Sequence, residues 1–269
     1  MAARLTVLAS GSKGNSAVVA SARTRLLVDA GLSCRETFRR MRAAGEEPEQ
    51  LDAILISHEH SDHVGGLEVL ARKTRAAVYM TADTREAWMR DRRQRTRDHQ
   101  PPRLECMESF SAGHSFVVGD ITVTPFTTPH DAADPVAFTF RLEGVKLGLV
   151  TDLGYLPPNV REHLRGCDGL MIESNHDLEM LRGGPYPWQV KQRVMSRVGH
   201  LSNDALAEFF TNDYDGGAAF VVLAHLSEQN NHPEIARRAA EQALGPRQDV
   251  MRNRLLLASQ SQPMTSIHL

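Results

Sequence analysis

Short apolar runs alternate with turn-forming residues along the whole chain, and this pattern predicts an α/β protein. Runs rich in β-branched residues and bounded by Gly, Ser or Asp indicate strands. In the first part of the chain these runs cover residues 5–8, 17–20, 25–28, 53–57 and 78–80. Helical spacing and capping residues predict helices over 34–43 with Ser33 as N-cap, from Asp62 to about Arg72, and over roughly 84–92 after a cap within 81–83.

The second part of the chain repeats the pattern. Strands are predicted over residues 116–118, 121–126, 136–140, 145–150, 170–172, 219–224, 255–258 and 265–267, with tight hairpin turns at 119–120 and 143–144. Helices are predicted over 159–165, 177–181, 187–197, 203–211 with Ser202 or Asn203 as cap, and 233–244, which Pro233 opens. We therefore expect two sheets face to face with helices outside, built as a single domain over residues 1–269.

Composition narrows the classes of function only a little. A hydrophobic fraction of 41% and a charged fraction of 24% are those of a globular protein with a sizeable core. The net charge of −2 gives no overall attraction to nucleic acid, so such binding needs a local basic face. No apolar run approaches the roughly 18 residues of a membrane span, and the three cysteines lie far apart. These features predict a cytoplasmic location without a membrane partner.

The strongest chemical signal is the string Ser-His-Glu-His-Ser-Asp-His at residues 57–63, directly after a predicted strand. On a helix His58 and His60 would point to opposite sides, whereas in a loop both can converge on one ion. Asp62 and His63 then open a helix and can face a second ion. Imidazole and carboxylate ligands suit zinc, manganese and iron. The string therefore predicts two divalent metal ions, with manganese or zinc favoured and iron admitted.

Other ligand-type residues also follow predicted apolar strands. His130, Asp152 and His225 each come after one, and such loops on a rigid sheet are where sites collect. Asp29 ends the strand 25–28, where it either caps a turn or holds a ligand imidazole in one tautomer.

The most basic segment, residues 85–103, has two interpretations. It is either a solvated helix face and loop or an edge that contacts phosphate, because clustered arginines suit phosphate in charge and geometry. It supplies weak candidates for substrate binding, namely Arg92, Arg93, Arg95 and Arg97.

Taken in order, these motifs resemble a known family. Asp29, the 58–63 string, His130, Asp152 and His225 are similar to the five ordered motifs of the metallo-β-lactamase fold. That fold is a four-layer αββα sandwich, with mixed sheets and helices on both outer faces. Longer strings narrow the resemblance to the YycJ (WalJ) subfamily and span nearly the whole chain; they are residues 10–16, 128–135, 173–177, 186–188, 199–203 and 224–227.

The resemblance implies a metal-dependent phosphodiesterase, and for this subfamily a 5′-to-3′ exonuclease that prefers manganese, acts on DNA rather than RNA and uses a metal-bound hydroxide. DNA repair is one setting for that activity. Carried over by position, one metal would be held by His58, His60 and His130, the other by Asp62, His63 and His225, with Asp152 as bridge. Two ions about 3.5–4 Å apart can activate water and clamp both oxygens of an in-line displacement at phosphorus.

Three residues receive catalytic roles. Asp62 can orient the attacking water or act as base. His200 resembles the histidine that protonates the leaving oxygen in related tRNA-processing hydrolases, although it could instead cap the helix over 203–211. Glu173 would support His200.

Several alternatives stay open at this point. About seventy residues separate Asp152 from His225, which leaves no room for the inserted domain of the β-CASP nucleases. An RNA- or tRNA-processing nuclease is the second hypothesis. A small-molecule ester or thioester hydrolase on the same metal site is the third, and a non-enzymatic scaffold the fourth.

Overall fold

A computed structural model describes residues 3–95, 104, 106–245 and 254–269. Its strands are β1 Arg4–Ala9, β2 Ser16–Ala20, β3 Arg25–Val28, β4 Ala53–Leu55, β5 Ala77–Met80, β6 Met107–Ser109, β7 Phe116–Val118, β8 Ile121–Thr127, β9 Val136–Leu142, β10 Val145–Val150, β11 Gly169–Glu173, β12 Phe220–Ala224, β13 Arg254–Leu257 and β14 Ile267–His268. Its α-helices are α1 Cys34–Ala43, α2 Ser61–Val64, α3 Leu67–Thr74, α4 Ala82–Arg95, α5 Pro158–Leu164, α6 Leu178–Gly183, α7 Trp188–Val194, α8 Asn203–Asn212 and α9 Pro233–Leu244.

Most of the predicted elements are confirmed within one or two residues. The α1 prediction is right at both ends, and the Ser33 side chain accepts a hydrogen bond from the Glu36 N–H as an N-cap should. At α8 the cap is Ser202. The single helix predicted from Asp62 to Arg72 is wrong, because the chain breaks it into α2 and α3 at Gly65 and Gly66.

The break between α2 and α3 has a steric reason. The Gly66 N–H donates to the Ala30 carbonyl, and a Cβ on Gly66 would lie 1.8 Å from the Leu32 carbonyl oxygen. Only glycine permits this close approach of two backbones. The contact holds the start of α3 against the loop that follows β3, and this leaves α2 as a separate turn carrying Asp62 and His63.

The chain divides into two compact units. One consists of Met1–Pro125, Ala132–Val136 and Gln260–Leu269, and the other of Phe126–Asp131 and Ala137–Ser259. The predicted single domain over residues 1–269 stays a prediction. Among the described residues, no helix combines the length and the apolar character that crossing a bilayer requires.

The first unit contains a mixed sheet of seven strands in the order β14-β1-β2-β3-β4-β5-β6. Strands β14 to β3 pair antiparallel and β3 to β6 pair parallel. Helices α1, α3 and α4 bury Met41, Leu70 and Trp88 in the same apolar cluster as Leu27 and Ile54 of the sheet. Because β3 and β4 run parallel, their carboxyl ends lie at one edge, and that edge carries Asp29 and the 57–60 loop.

The second sheet is also mixed, in the order β13-β12-β11-β10-β9-β8-β7. Strands β10 to β13 pair parallel, while β9 and β10 form a hairpin through Glu143 and Gly144, both with positive φ. This is the twist that favours a two-residue hairpin turn, as predicted. Helices α5, α8 and α9 bury Leu164, Phe210 and Ala240 against the sheet. The two mixed sheets with surrounding helices confirm the α/β prediction.

A buried carboxylate ties the start of the first sheet to the end of α1. The Glu46 side chain is 1% exposed and accepts hydrogen bonds from Arg4, Arg25 and Thr6, at 2.9–3.1 Å. Burial raises the pKa of Glu46, but the hydrogen bonds and charges of the two arginines lower it more, so the pKa lies below its usual value.

We expect Glu46→Gln to lower the free energy of unfolding by about 3 kcal/mol at pH 7, because two largely buried arginines lose their partner. A depressed folded-state pKa contributes stability above the unfolded pKa of about 4.3, and this is lost as pH falls through the folded value. The gap between wild type and variant should therefore narrow as the pH falls below about 4. Urea unfolding at a series of pH values measures it.

The matched control is Glu49→Gln, which removes an exposed carboxylate paired with Arg42. Exposed pairs contribute little, so this variant should unfold like the wild type. A Glu46→Gln loss that stays constant from pH 7 to pH 3.5 would contradict the electrostatic explanation.

Candidate metal centre

In the first unit, the loop after β4 and the short helix α2 bring three histidines together. The ring centroid of His58 lies 4.6 Å from that of His60 and 4.0 Å from that of His63. His58 and His63 are 1% and 0% exposed. The imidazoles of His58, His60 and His63, two of them buried, therefore form a cluster of nitrogen donors.

Two of these rings are held through Nδ1. The His63 Nδ1 lies 2.8 Å from a carboxylate oxygen of Asp29, and the His58 Nδ1 lies 3.0 Å from the Ser57 hydroxyl. Ser57 gives its own proton to Asp29 at 2.9–3.0 Å and so accepts from His58. With the proton on Nδ1, the lone pair of each neutral ring lies on Nε2, where a metal could bind. In this structure the Asn15 amide lies 3.0 Å from the His63 Nε2.

Asp62 stands beside the His63 Nε2, on the same helix. Its Oδ2 lies 3.5 Å from that nitrogen and accepts a hydrogen bond from the Asn15 amide at 3.1 Å. A separation near 3.5 Å between two ligand atoms suits a shared ion with bonds of about 2.0–2.2 Å. Asn15 also bonds through its backbone N–H to the Asp62 carbonyl, so the loop after β1 fixes α2.

In the second unit, His130 and His225 are held in the same way. The His130 Nδ1 donates to the Gly199 carbonyl at 3.0 Å, and the His225 Nδ1 donates to Oε1 of Glu173 at 2.8 Å. A carbonyl can only accept, so the proton of His130 is fixed on Nδ1. Both side chains are almost fully buried, and in each the Nε2 carries the lone pair.

Glu173 accepts hydrogen bonds from two of the histidines and from two backbone N–H groups of this unit. Its Oε1 accepts from the Nδ1 of both His200 and His225, and its Oε2 accepts from the backbone N–H groups of Leu153 and Leu201. Burial raises the pKa of the Glu173 carboxyl, but the charge and N–H groups of His200 and His225 lower it more, so the pKa falls below its usual range. Burial lowers the pKa of His200, but Glu173 raises it more, so the net shift is upward.

Asp152 completes the group. Its Oδ1 lies 3.4 Å from the His225 Nδ1, 3.7 Å from the His200 Nδ1 and 3.9 Å from the His130 Nε2. The side chain is only 4% exposed. Ligand-type atoms of Asp152, Glu173, His200 and His225 all lie within 4.8 Å of one another.

Three residues of the candidate set have left-handed backbone. Asp29, Asp152 and His225 have φ of 62°, 61° and 55°, and each follows the end of a strand by one or two residues. Non-glycine residues rarely adopt this conformation, which costs of order 1 kcal/mol or more each. Such strain collects where a side chain must be aimed, and here it aims three ligand-type side chains out of the strand ends.

The donor chemistry fits divalent metal ions. In each unit two imidazoles have Nδ1 held by a carboxylate, a hydroxyl or a carbonyl, and each unit adds a carboxylate, Asp62 in the first and Asp152 in the second. Oriented imidazole of this kind is the usual arrangement behind a metal site. No thiolate joins the set, because the described cysteines lie elsewhere.

The structure describes every candidate site residue predicted from the sequence outside the basic segment 85–103. Helix α4 carries Arg92, which pairs with Glu68, and Arg93, which is exposed. The side chain of Arg95 and the whole of Arg97 lie outside the described residues. Sequence reasoning missed the roles of Ser57, Asn15 and the Gly199 carbonyl, and it linked Glu173 to His200 but not to His225.

Comparisons with known proteins identify the family. The model of the β-lactamase superfamily domain matches residues 24–226. The chain is 39% identical to exodeoxyribonuclease YycJ of Bacillus anthracis, over 91% of this chain and 90% of that protein. It is 38% identical to exodeoxyribonuclease WalJ of Streptococcus pneumoniae, over 87% and 85%.

Solved structures show the fold. The metallo-β-lactamase fold protein YhfI of Bacillus subtilis superposes with a TM-score of 0.70 at 17% identity, over 97% of this chain and 99% of that chain. The short form of human tRNase Z gives 0.62 at 17% identity, over 97% and 98%. The predicted metallo-β-lactamase fold is confirmed. The chain therefore belongs to the β-lactamase superfamily of metal-dependent hydrolases and, within it, to the YycJ and WalJ group.

Proposed function

We propose that this chain is a 5′-to-3′ DNA exonuclease that hydrolyses phosphodiester bonds at a dinuclear metal centre. The observation that carries the proposal is that His58, His63, His130 and His225 are each held through Nδ1, which puts the lone pair of a neutral ring on Nε2, the atom that would bind a metal. The names of the YycJ and WalJ relatives, both exodeoxyribonucleases, support DNA as substrate.

The proposed ligands are divided between two ions. His58, His60 and His130 would hold one, and Asp62, His63 and His225 the other, with Asp152 shared between them. When bound, the ions would supply Lewis acidity, which lowers the pKa of water and neutralises charge on the phosphodiester. Manganese is the preferred metal of the proposal. The all-His/Asp donor set also admits zinc and iron, as the sequence indicated.

The chain's own residues move the protons. Asp62, fixed by the Asn15 amide, orients the attacking water towards phosphorus and can take its proton. His200 donates a proton to the oxygen that leaves phosphorus as the P–O bond breaks. Glu173 keeps the His200 ring oriented and raises its pKa, which favours the protonated form that a general acid needs. The setting we propose is cytoplasmic, with DNA repair as one use of the activity.

The test is turnover of end-labelled DNA. With manganese, purified protein should release the 5′ label of a 5′-phosphorylated strand early as a mononucleotide, while a 3′-labelled strand shortens stepwise. His60→Ala should lose at least about 100-fold in kcat and still unfold like the wild type, because His60 lies partly exposed in a loop.

Three outcomes would contradict the proposal. Cleavage of a thioester or lactone with intact DNA would indicate a small-molecule hydrolase. Faster processing of precursor tRNA than of DNA would indicate the RNA enzyme. Retention of the cellular role by His60→Ala would indicate a scaffold.

A further inference from the structure

Within the second unit, residues 197–198, just before His200, contact the loops that carry His130 and Asp152. The Asp131 N–H donates to the Val198 carbonyl, and the Gly154 N–H donates to the Pro129 carbonyl, both at 3.0 Å. A Cβ on Gly154 would lie 2.3 Å from the Arg197 carbonyl carbon, so the two backbones are in direct contact. The Arg197 backbone is therefore fixed beside the loops that carry His130 and Asp152.

The Arg197 side chain is also held in place. Its guanidinium carbon lies 4.2 Å from the centroid of the Tyr155 ring, a cation–π contact. Arg197 is exposed and Tyr155 is half-buried, so the ring covers one face of the guanidinium. A guanidinium held over an aromatic ring samples fewer orientations, so its N–H groups are better arranged to bind a phosphate.

Among the residues that the structure describes, no acid pairs with Arg197. Arg193, four residues earlier, is also exposed, but it is paired with Asp131. An exposed arginine held in position three residues from His200 is available to an anion, and under the proposed function the anion that approaches His200 is the DNA backbone.

We propose that Arg197, seated on Tyr155, binds a phosphate of the DNA strand next to the reacting one. The inference rests on the proposed function in that it takes DNA as the ligand. The guanidinium donates two N–H groups to phosphate oxygens, and Tyr155 positions it. Arg197 thereby sets the register of the strand relative to His200.

The experiment measures binding without catalysis. A fluorescent 12-nucleotide single strand is titrated with metal-free protein in EDTA, and the Kd is followed by anisotropy from about 50 to 200 mM salt. Arg197→Gln should weaken Kd about tenfold and reduce the slope of log Kd against log salt by about 0.7, the loss of one phosphate contact on single-stranded nucleic acid. Arg197→Lys should keep the slope and lose only part of the affinity.

Tyr155 has its own variants. Tyr155→Leu should weaken DNA binding, because the guanidinium loses its contact with the ring. Tyr155→Phe should bind DNA like the wild type, because the ring face is retained. The matched control is Arg165→Gln, an exposed arginine paired with Glu162 at the opposite end of β10 and β11, which should leave Kd and slope unchanged. Thermal unfolding of every variant checks folding.

The outcomes separate this inference from the proposed function. If Arg197→Gln binds with the wild-type Kd and slope, or if the wild type does not bind the strand at all, Arg197 is not a phosphate-binding residue. If Arg197→Gln shows the smaller slope while manganese-loaded wild type leaves DNA intact, the inference stands and the exonuclease proposal fails.

Discussion

Asp152→Asn should leave the protein folded and inactive. Asn adopts the left-handed backbone more readily than most residues other than glycine, so the φ of 61° at position 152 is kept. The amide lacks the negative charge that the proposed bridge between two cations needs. We expect kcat on 5′-phosphorylated DNA to fall by about 10³-fold or more, as the loss of several kcal/mol of metal-dependent stabilisation implies.

Metal content distinguishes this explanation from a local packing defect. Elemental analysis after dialysis should find about two ions per wild-type chain and one or none in Asp152→Asn, while thermal unfolding in EDTA should be nearly unchanged. Asp213→Asn is the control, because Asp213 pairs with Arg161 on the surface of the same unit. A variant that keeps both ions and loses activity would contradict the bridging role of Asp152.

The sequence predicts the parts of the site that depend on local pattern. His58, His60, Asp62 and His63 stand in one short string, and a strand before the string with a helix turn inside it follows from apolar runs and turn formers. His225 was found the same way, as a polar residue directly after the buried strand β12. Where a candidate ligand directly follows a strand, the apolar pattern of the strand and the position of the residue are enough to predict it.

Contacts between residues far apart in the chain could not be predicted. Asn15 reaches Asp62 across 47 residues, and Gly66 meets Leu32 across 34, so neither leaves a trace in local periodicity. The latter contact is the reason that one predicted helix became α2 and α3. Strand β6 was missed because it is a short, partly exposed run, Met107–Ser109, whose pairing with β5 alone makes it a strand.

The left-handed residues were hidden for a related reason. Asp and His are several-fold enriched among the few non-glycine residues with positive φ, but most Asp and His residues have negative φ. Their identity at positions 29, 152 and 225 therefore does not predict the conformation. The conformation is imposed by surrounding bonds, such as the Asp29 N–H to the Leu55 carbonyl at 2.8 Å and the Ser16 hydroxyl to the Asp29 carbonyl at 3.0 Å. Strain of this kind is a tertiary property.

Glu173→Gln should lose stability and activity together, in contrast to Asp152→Asn. The Glu173 carboxylate accepts four N–H groups, two imidazole and two backbone, two on each oxygen. A glutamine has one oxygen and one NH₂, so the NH₂ must face two donors whichever way the amide is turned. We expect a loss of about 3–5 kcal/mol in the free energy of unfolding, measured by urea in EDTA.

The functional loss follows from the same four bonds. If the NH₂ of the introduced glutamine faces the imidazoles, His225 must turn or move its proton to Nε2, which then cannot bind a metal. If the NH₂ faces the backbone, the N–H groups of Leu153 and Leu201 lose their acceptor and the loop after Asp152 loosens. Either way metal affinity should fall about 10–100-fold, a change that a metal titration of activity would follow.

The control for this prediction is Glu162→Gln, an exposed carboxylate whose pair with Arg165 contributes little. Wild-type stability in Glu173→Gln with activity lost would mean that Glu173 acts in the reaction alone. Lost stability with unchanged metal affinity would mean that the two backbone bonds matter and the imidazole bonds do not. Because one buried carboxylate serves both sets, we expect the two losses to appear together, in metal-free unfolding and in metal binding alike.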